Sequence, residues 1–286
     1  IEQGNITDKC VDNVVEDYGG KVLYSSKRNE YMINRIKRMA RKTVWALCNH
    51  VKEGDFTPTG FEVSFTSKDN LQATNIRLDD DSYIGLRGSI DRVDTCVAEN
   101  NDTYVKVIDY KSSSKDFDPS LFNEGIQLQL MVYMSVALDG QRNLHKDKNV
   151  KPAGVFYYTI DDPFIDKDEK LANSLRVVKG NFLEEKSIID KSVLEKLTMK
   201  GIVSSNPEVI EKIDKSMVDE EGNLIAKVNS KVIKLGISAK GDFKSNSNAI
   251  AEEDFDLLIG KTCDLIKEKV SDMKNGIIDK NPYKAD

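Results

Sequence analysis

The sequence predicts an α/β or α+β fold in which helices cover a β-sheet core, and three observations support this. A long segment with apolar residues at three- and four-residue steps comes first, a run of strand-like segments follows, and a helical pattern returns near the end. The 286 residues are 39% hydrophobic and 31% charged, as in folded globular proteins. No internal repeat or linker is visible, so we expect a single domain over residues 1–286.

The elements follow from local patterns in chain order. Residues 1–24 lack a clear period and predict an irregular lead-in, whereas residues 27–52 predict a long amphipathic helix. Strands are predicted at 60–66, 84–97, 104–110 and 153–160, with a hairpin turn at Glu99–Thr103. Further helices are predicted at 124–138, 167–178, 186–199 and 252–274, and a second hairpin around Glu221–Gly222. The core then covers about 27–162 plus a C-terminal helix at about 250–275, and residues 165–245 elaborate it.

Composition excludes several classes of function. No apolar run approaches the roughly 20 residues of a bilayer span, and residues 1–30 show no secretory signal, so we expect a cytoplasmic protein with no membrane partner. The cysteines are widely spaced, which favours free thiols, and the two histidines cannot build a histidine-rich metal centre. Hydrolytic chemistry would therefore depend on carboxylates, lysine and a hard metal ion. The net charge of −6 argues mildly against a protein that coats nucleic acid.

The second and third predicted strands carry the most informative side chains. Asp91 precedes Asp109 by eighteen residues, and a turn centred on Asn100–Asn101 places Asp91 opposite Asp109 or Lys111. Asp109 and Lys111 share one face of their strand, and facing residues on paired strands lie roughly 5 Å apart at Cβ. Two carboxylates and an ammonium group are therefore predicted to converge. Mg²⁺ prefers such oxygen ligands, and Mn²⁺ is an acceptable substitute.

Two interpretations of this hairpin remain open. It is either a metal site, with Lys111 orienting a water or neutralising charge on a phosphate, or a solvated face with a weak cross-strand ion pair. Arg92 and Asp94 each lie an odd number of residues from Asp91, so we expect both to face away from the metal and to be structural.

Two helices add candidate residues. Gln129 and Tyr133 lie four residues apart on one helix face, where they either meet the site or serve as a satisfied amide and a core-edge aromatic. The 27–52 helix carries a basic face that either follows a phosphate backbone or is simply solvated. The residues of this basic face that we single out are Arg35, Arg38, Arg41 and Lys42.

Taken in order, Gly88-x-x-Asp91, Asp109-x-Lys111 and Gln129-x-x-x-Tyr133 resemble the core signature of the RecB-like branch of the PD-(D/E)xK nucleases. Within that branch, the sequence resembles the AddB-type nuclease domains of helicase–nucleases most closely. Additional segments that carry the resemblance are 60–65, 90–94, 107–113, 127–133, 152–157 and 198–202, and it extends roughly from Phe61 to Tyr283.

The resemblance implies a restriction-endonuclease-like α/β core, a mixed central sheet flanked by helices with helical additions. It implies that Asp91 and Asp109 bind the metal, that Lys111 serves hydrolysis, and that Gln129 and Tyr133 line the DNA track, with Glu62 as a weaker candidate. It also implies DNA and an AddA-type helicase–nuclease subunit as partners.

Two departures from the family pattern change the expectation. Neither His50 nor the four cysteines occupy the positions of the family's upstream histidine and its iron–sulfur cysteines. The chain also stops about where the terminal cysteine group would begin, so we expect an excised domain without an iron–sulfur cluster.

Two functions follow as hypotheses. The first is a Mg²⁺-dependent exonuclease domain that cleaves single-stranded DNA within a helicase–nuclease for double-strand break repair and recombination. The second is a non-catalytic DNA-holding or subunit-docking module with a degenerate nuclease fold.

Overall fold

A mixed six-stranded sheet forms the centre of the computed structural model, in the order β1-β4-β5-β6-β7-β8. The structure describes residues 2–277 except 67, 69–70, 79, 147, 165–170, 172–173 and 176. The strands are β1 (Thr57–Phe65), β2 (Asn75–Arg77), β3 (Tyr83–Gly85), β4 (Gly88–Val97), β5 (Thr103–Lys111), β6 (Val150–Thr159), β7 (Lys200–Ser204) and β8 (Ala249–Ile250). β2 and β3 form a separate two-stranded ribbon. The predicted α/β fold with a mixed central sheet is confirmed.

The helices are α1 (Glu2–Gly19), α2 (Lys27–Glu53), α3 (Pro119–Asn123), α4 (Gln129–Leu144), α5 (Phe182–Lys196), α6 (Pro207–Ile213) and α7 (Glu252–Lys274). α2 and α7 lie where the apolar period predicts them. The Ser26 side chain caps α2 by accepting a hydrogen bond from the Asn29 backbone N–H. Within the described parts of the chain, every helix is too short or too polar to cross a lipid bilayer.

The prediction of an irregular lead-in at residues 1–24 is wrong, because α1 occupies most of that segment. α1 packs on α2 and is polar on most of its surface. Of its side chains, Thr7 and Val15 are buried, whereas Ile6, Val14 and Tyr18 are exposed. An apolar stripe this narrow gives little sequence period, and the contact with α2 stabilises the helix instead.

Local turn chemistry determines the β4–β5 hairpin. Asn101 adopts a left-handed backbone conformation with φ 70°, which Asn tolerates better than most residues. The Ala98 backbone N–H donates to Asp102 O at 2.9 Å and closes the turn. The next connection, from β5 to β6, contains α3 and α4, and the two strands pair in parallel.

The sheet separates two apolar layers. One layer includes Tyr104, Ile108 and Tyr158 and lies towards α6 and the segment 217–237. The other includes Val107 and Tyr157 and is covered by α4 and α7. Because side chains alternate along a strand, Tyr157 and Tyr158 of β6 point into different layers.

The segment after β6 contributes a strand that the sequence analysis does not predict. β7 pairs antiparallel with β6, and Gly201 allows this close approach, since a Cβ there would lie 1.9 Å from Val155 O. The predicted hairpin around Glu221–Gly222 is confirmed by the antiparallel bridge between Val218 and Leu224. The predicted helix at 186–199 is observed as α5, whereas that at 167–178 falls largely outside the described residues.

Candidate active site

The candidate site lies at the end of the β4–β5 hairpin that is remote from its turn. The strands pair with Arg92 opposite Ile108 and Thr95 opposite Val105. The same register places Asp91 beside Asp109, as the sequence predicts. The Asp91 Oδ2 accepts a hydrogen bond from the Tyr110 backbone N–H at 2.7 Å, which fixes its carboxylate against β5.

Asp109 and Lys111 are in direct contact. The Lys111 Nζ lies 2.6 Å from Asp109 Oδ2, and the Asp109 side chain is 3% exposed while that of Lys111 is 25% exposed. The two residues point to the same face because they are two positions apart on one strand. The structure therefore brings the acid and the amine together at the boundary between the core and solvent.

The pKa of Asp109 is determined by its burial and by two charged neighbours, Lys111 and Asp91. Burial raises the pKa of the Asp109 carboxyl, the close contact and charge of Lys111 lower it, and the neighbouring Asp91 raises it again. Among the described residues, the buried Asp109 Oδ2 also has no hydrogen bond of good geometry. An additional cation between the two acids would relieve both the repulsion and the lost hydration.

α4 brings an amide and a phenol to the same point. The Lys111 Nζ donates to Gln129 Oε1 at 3.1 Å, and the Gln129 Nε2 donates to the Tyr133 hydroxyl at 2.9 Å. The Phe65 ring packs edge-on against Tyr133, with ring centroids 6.0 Å apart. Gly88 makes room for this, since a Cβ at that position would lie 2.7 Å from the Phe65 ring.

Three residues that the sequence analysis did not single out complete the surroundings. Tyr157 lies beside Asp109 in the parallel β5–β6 register, and its hydroxyl is buried with no hydrogen-bond partner among the described residues. Burial, Asp109 and Tyr133 raise its pKa to about 12, so the hydroxyl stays protonated. Lys111 and Lys115 lie over its ring, 5.6 and 4.9 Å from the centroid. Lys200 pairs with Tyr157 from β7.

The register of the strands around β6 brings Tyr157 and Lys200 to Asp109, and no local pattern in the sequence reveals that register. Lys200 lies in the 198–202 segment that carries the family resemblance. Tyr157 belongs to the 152–157 segment that carries the family resemblance, and this is the one signal that the sequence offers for it. Periodicity within that strand indicates burial and says nothing about which residue of β5 lies alongside.

Glu62 stands at the margin of the site. It lies on the edge strand β1, between the positions that pair with Ile90 and Arg92, and it adopts a left-handed conformation with φ 47°. Its exposed carboxylate accepts a hydrogen bond from Ser89 Oγ at 3.4 Å. The structure therefore places Glu62 next to Asp91 in the strand ladder but gives it a hydrogen bond to Ser89.

Asp94 and Arg92 point to the opposite layer, as alternation predicts. The Arg92 guanidinium donates to both oxygens of Asp94, at 2.6 and 2.8 Å, and the Lys106 Nζ lies 3.1 Å from Asp94 Oδ2. The side chains of all three are at most 5% exposed. His50 packs edge-on against Tyr158 in that layer, 6.1 Å between centroids, and neither ring nitrogen finds a hydrogen-bond partner within the described part of the chain.

The basic face of α2 is largely engaged by carboxylates of this chain. Arg38 and Lys42 both contact Asp162 at 2.5 Å, and Arg41 lies 3.4 Å from Asp8. Arg35 is exposed. Three of the four residues proposed from sequence as a basic track are therefore ion-paired within the chain.

The donor set at the site suits a hard cation. Asp91 and Asp109 supply carboxylate oxygens, the ligand type that Mg²⁺ takes together with waters and substrate phosphate. No group of three or more His, Cys, Asp or Glu that could hold a metal occurs among the described residues. Asp91 and Asp109 are therefore the side chains that would hold a cation here. The four cysteines lie on different elements, with Cys96 buried and Cys10 exposed.

The chain is similar to known proteins over nearly its whole length. The family model of the PD-(D/E)XK nuclease superfamily matches residues 2–285. The chain is 33% identical over 98% of its length to the B subunit of the ATP-dependent helicase/deoxyribonuclease of Alkaliphilus metalliredigens. It is 33% identical over 96% of its length to the protein of the same name from Clostridium acetobutylicum, and 31% identical over 96% to that from Clostridioides difficile.

In each case the match covers 22% of the relative, so the chain spans about a fifth of the length of these proteins. The resemblance predicted from the sequence motifs is confirmed by these relatives. The family match extends over nearly the whole chain, and the chain belongs to the PD-(D/E)XK nuclease superfamily.

Proposed function

We propose that this chain is a nuclease domain that hydrolyses phosphodiester bonds of DNA. In its specific form, it is a Mg²⁺-dependent exonuclease domain acting on single-stranded DNA, within an ATP-dependent helicase–nuclease for double-strand break repair and recombination. The observation that carries the proposal is the contact of Lys111 with Asp109, 2.6 Å apart, beside Asp91 on one sheet face. The relatives are named as subunits of a helicase/deoxyribonuclease, which supports it, and we propose an AddA-type subunit as partner.

The proposed roles follow from these contacts. Asp91 and Asp109 would hold the divalent cation, Mg²⁺ or Mn²⁺, because they are the two convergent carboxylates of the site. Once bound, the cation supplies Lewis-acid stabilisation of the charge that develops on the scissile phosphate. Lys111, held between Asp109 and Gln129, presents an ammonium group that orients a water or neutralises the phosphate. Gln129 and Tyr133 would contact the DNA beside it.

We also propose that the chain acts as one domain. Its core is 27–162 together with α7, and residues 165–245 are an elaboration. The pairing of β7 with β6 supports this arrangement, since that strand joins the elaboration to the central sheet.

Cleavage of labelled single-stranded DNA with Mg²⁺ or Mn²⁺ tests the assignment. Lys111→Ala and Asp109→Ala should each reduce the rate by about 10²–10³-fold, as for loss of a group that stabilises transition-state charge. Lys27→Ala is the matched control, since its side chain is 96% exposed on α2. Unchanged cleavage in both site variants would reject the proposal.

The non-catalytic alternative retains one supporting observation, the lack of a third carboxylate or histidine ligand among the described residues. It loses support elsewhere, because Arg38 and Lys42 of its DNA-holding surface share one carboxylate, Asp162, whose side chain is only 17% exposed, so these ion pairs are partly shielded from solvent and are not easily exchanged. Calorimetric titration with Mn²⁺ separates the two functions. A heat of Mn²⁺ binding that is lost in Asp91→Ala favours the nuclease. The absence of any heat of binding with the unaltered chain favours the alternative.

A further inference from the structure

A cleft of about 730 Å³ lies between α5 and the loop 227–247. Its lining is unusually rich in lysine for a chain of net negative charge. The lysines that line it are Lys191, Lys231, Lys234 and Lys244, and the lining includes one carboxylate, Glu195.

The ion pairs at this cleft are weak enough to be exchanged. Lys231 contacts Glu53 at 2.8 Å and Lys234 contacts Asp116 at 2.5 Å, and all four side chains are between 32% and 46% exposed. Exposed pairs of this kind contribute about 0–1 kcal/mol. A phosphate can therefore take the place of either carboxylate at little cost. Lys244 donates to the neutral Asn229 Oδ1 at 2.6 Å, so its charge is not offset by that contact.

The loop that presents these lysines is held in one conformation by a buried carboxylate. Asp214 is 0% exposed and accepts hydrogen bonds from the Ser230 hydroxyl at 2.8 Å and the Lys231 backbone N–H at 2.7 Å. The Ser230 Oγ in turn accepts from the backbone N–H groups of Val232 and Ile233, each at 3.1 Å. A preformed loop loses little conformational entropy when it binds a ligand.

The cleft is connected to the candidate active site through β7. On one sheet face, Asp109 lies beside Tyr157 and Tyr157 beside Lys200. With strands about 4.8 Å apart, the Lys200 backbone is about 10 Å from that of Asp109. The residue before Lys200, Met199, bonds to the loop, since its carbonyl accepts from the Lys234 backbone N–H at 2.7 Å.

Two lysine side chains also link β7 and the loop to the chain segment beside the candidate active site. Lys200 Nζ donates to Ser114 Oγ at 3.0 Å, and Lys234 reaches Asp116, so both lysines contact the segment that directly follows Lys111. The loop itself packs on the apolar layer opposite the candidate active site, so a DNA strand that passes from the site to the cleft must go round the end of the sheet, where Lys200 and Lys234 contact this segment.

We propose that this cleft binds the phosphate backbone of single-stranded DNA on one side of the scissile phosphate. The inference rests on the proposed nuclease function and adds the path of the substrate. Lysine supplies point charges without base readout. No aromatic side chain lines the cleft among the described residues, so binding is salt-sensitive and indifferent to base sequence.

Fluorescence anisotropy with a labelled single-stranded oligothymidylate, in EDTA to prevent cleavage, measures the binding. The double variant Lys231→Glu with Lys244→Glu should weaken binding at least tenfold. It should also lower the slope of log affinity against log salt by about 1.4, or about 0.7 for each phosphate that is no longer neutralised. The control is Lys267→Glu with Lys269→Glu on α7, an equal change of charge at exposed lysines outside the cleft.

Three results would overturn the inference: no binding by the unaltered chain, unchanged binding in the cleft variant, or an equal loss in the control. The milder pair Lys231→Gln with Lys244→Gln tests the same contacts if charge reversal prevents folding. Cleavage of a dinucleotide, too short to reach the cleft, distinguishes this inference from the proposed function. It should depend on Lys111 and not on Lys231 or Lys244, so loss of oligonucleotide binding with normal dinucleotide cleavage in the cleft variant supports both the cleft and the nuclease function. The same loss of binding in a chain that cleaves no dinucleotide would refute the proposed function and leave the cleft as a DNA-binding site.

Discussion

Removing the charge of Asp94 should destabilise the fold strongly without touching the candidate active site. Asp94 compensates two cations, Arg92 and Lys106, and the three side chains are at most 5% exposed. Asp94→Asn keeps the shape of the side chain but leaves both cations buried without a counter-charge. Breaking a buried ion pair in this way costs about 3–5 kcal/mol.

Urea denaturation measures this loss, and the single tryptophan, Trp45, reports on it from the contact of α2 with α5. With a denaturant slope of about 3 kcal/mol per molar, the midpoint should fall by about 1–1.7 M. Asp81→Asn is the control, because the Arg77–Asp81 pair is 65% and 78% exposed. It should change the free energy of unfolding by less than about 0.5 kcal/mol.

A loss below about 1 kcal/mol in Asp94→Asn, with an unchanged slope, would refute the reasoning. Burial lowers the pKa of Lys106, and Asp94 opposes that change. A small loss would therefore mean that the Lys106 amine becomes neutral, or that water reaches the cations, once Asp94 no longer holds them.

Three further predictions concern individual side chains. His50 has its pKa lowered from 6.5 to about 4 by burial and by the charges of Lys106 and Arg92. Between these two pKa values His50 is protonated in the unfolded chain and neutral in the folded one. The free energy of unfolding therefore falls by roughly 3 kcal/mol as the pH falls from about 6.5 to about 4. His50→Phe should flatten that part of a plot of unfolding free energy against pH, and an unchanged slope would contradict this origin. Tyr157→Phe removes a buried hydroxyl without a partner among the described residues, so the melting temperature should hold or rise. A clear fall in the melting temperature would show that the hydroxyl makes a stabilising hydrogen bond. Gln129→Leu removes the acceptor that holds Lys111 and should lower kcat about tenfold, beyond any change in KM from a lost DNA contact, and an effect on KM alone would exclude a positioning role for Gln129.

The β4–β5 hairpin shows which features can be predicted from residues that are close together in the sequence. The turn at Glu99–Thr103 determines the register, the register pairs Asp91 with Asp109, and alternation separates Asp94 and Arg92 from them. All of this depends on residues close to one another in the chain. The same holds for α2 and α7, whose bounds follow from an apolar period and, for α2, a capping serine.

Local pattern fails where a contact with a distant segment supplies the stability. α1 forms because α2 covers it, and its own sequence shows too narrow an apolar stripe to predict a helix. The basic residues of α2 are also misjudged from sequence, because the carboxylate that binds Arg38 and Lys42 is Asp162, far away along the chain.

The sequence by itself determined the order of the main elements, the convergence of Asp91, Asp109 and Lys111, and the family. Only the tertiary structure decided that β6 lies parallel to β5, with Tyr157 beside Asp109, and that β7 brings Lys200 beside Tyr157. It also decided that the loop held by Asp214 bonds to Met199, the residue before Lys200. The physical reason is the distance along the chain over which each interaction acts. Turn chemistry and side-chain alternation act between neighbours, whereas the register of strands joined by long connections is set by the packing of the whole core.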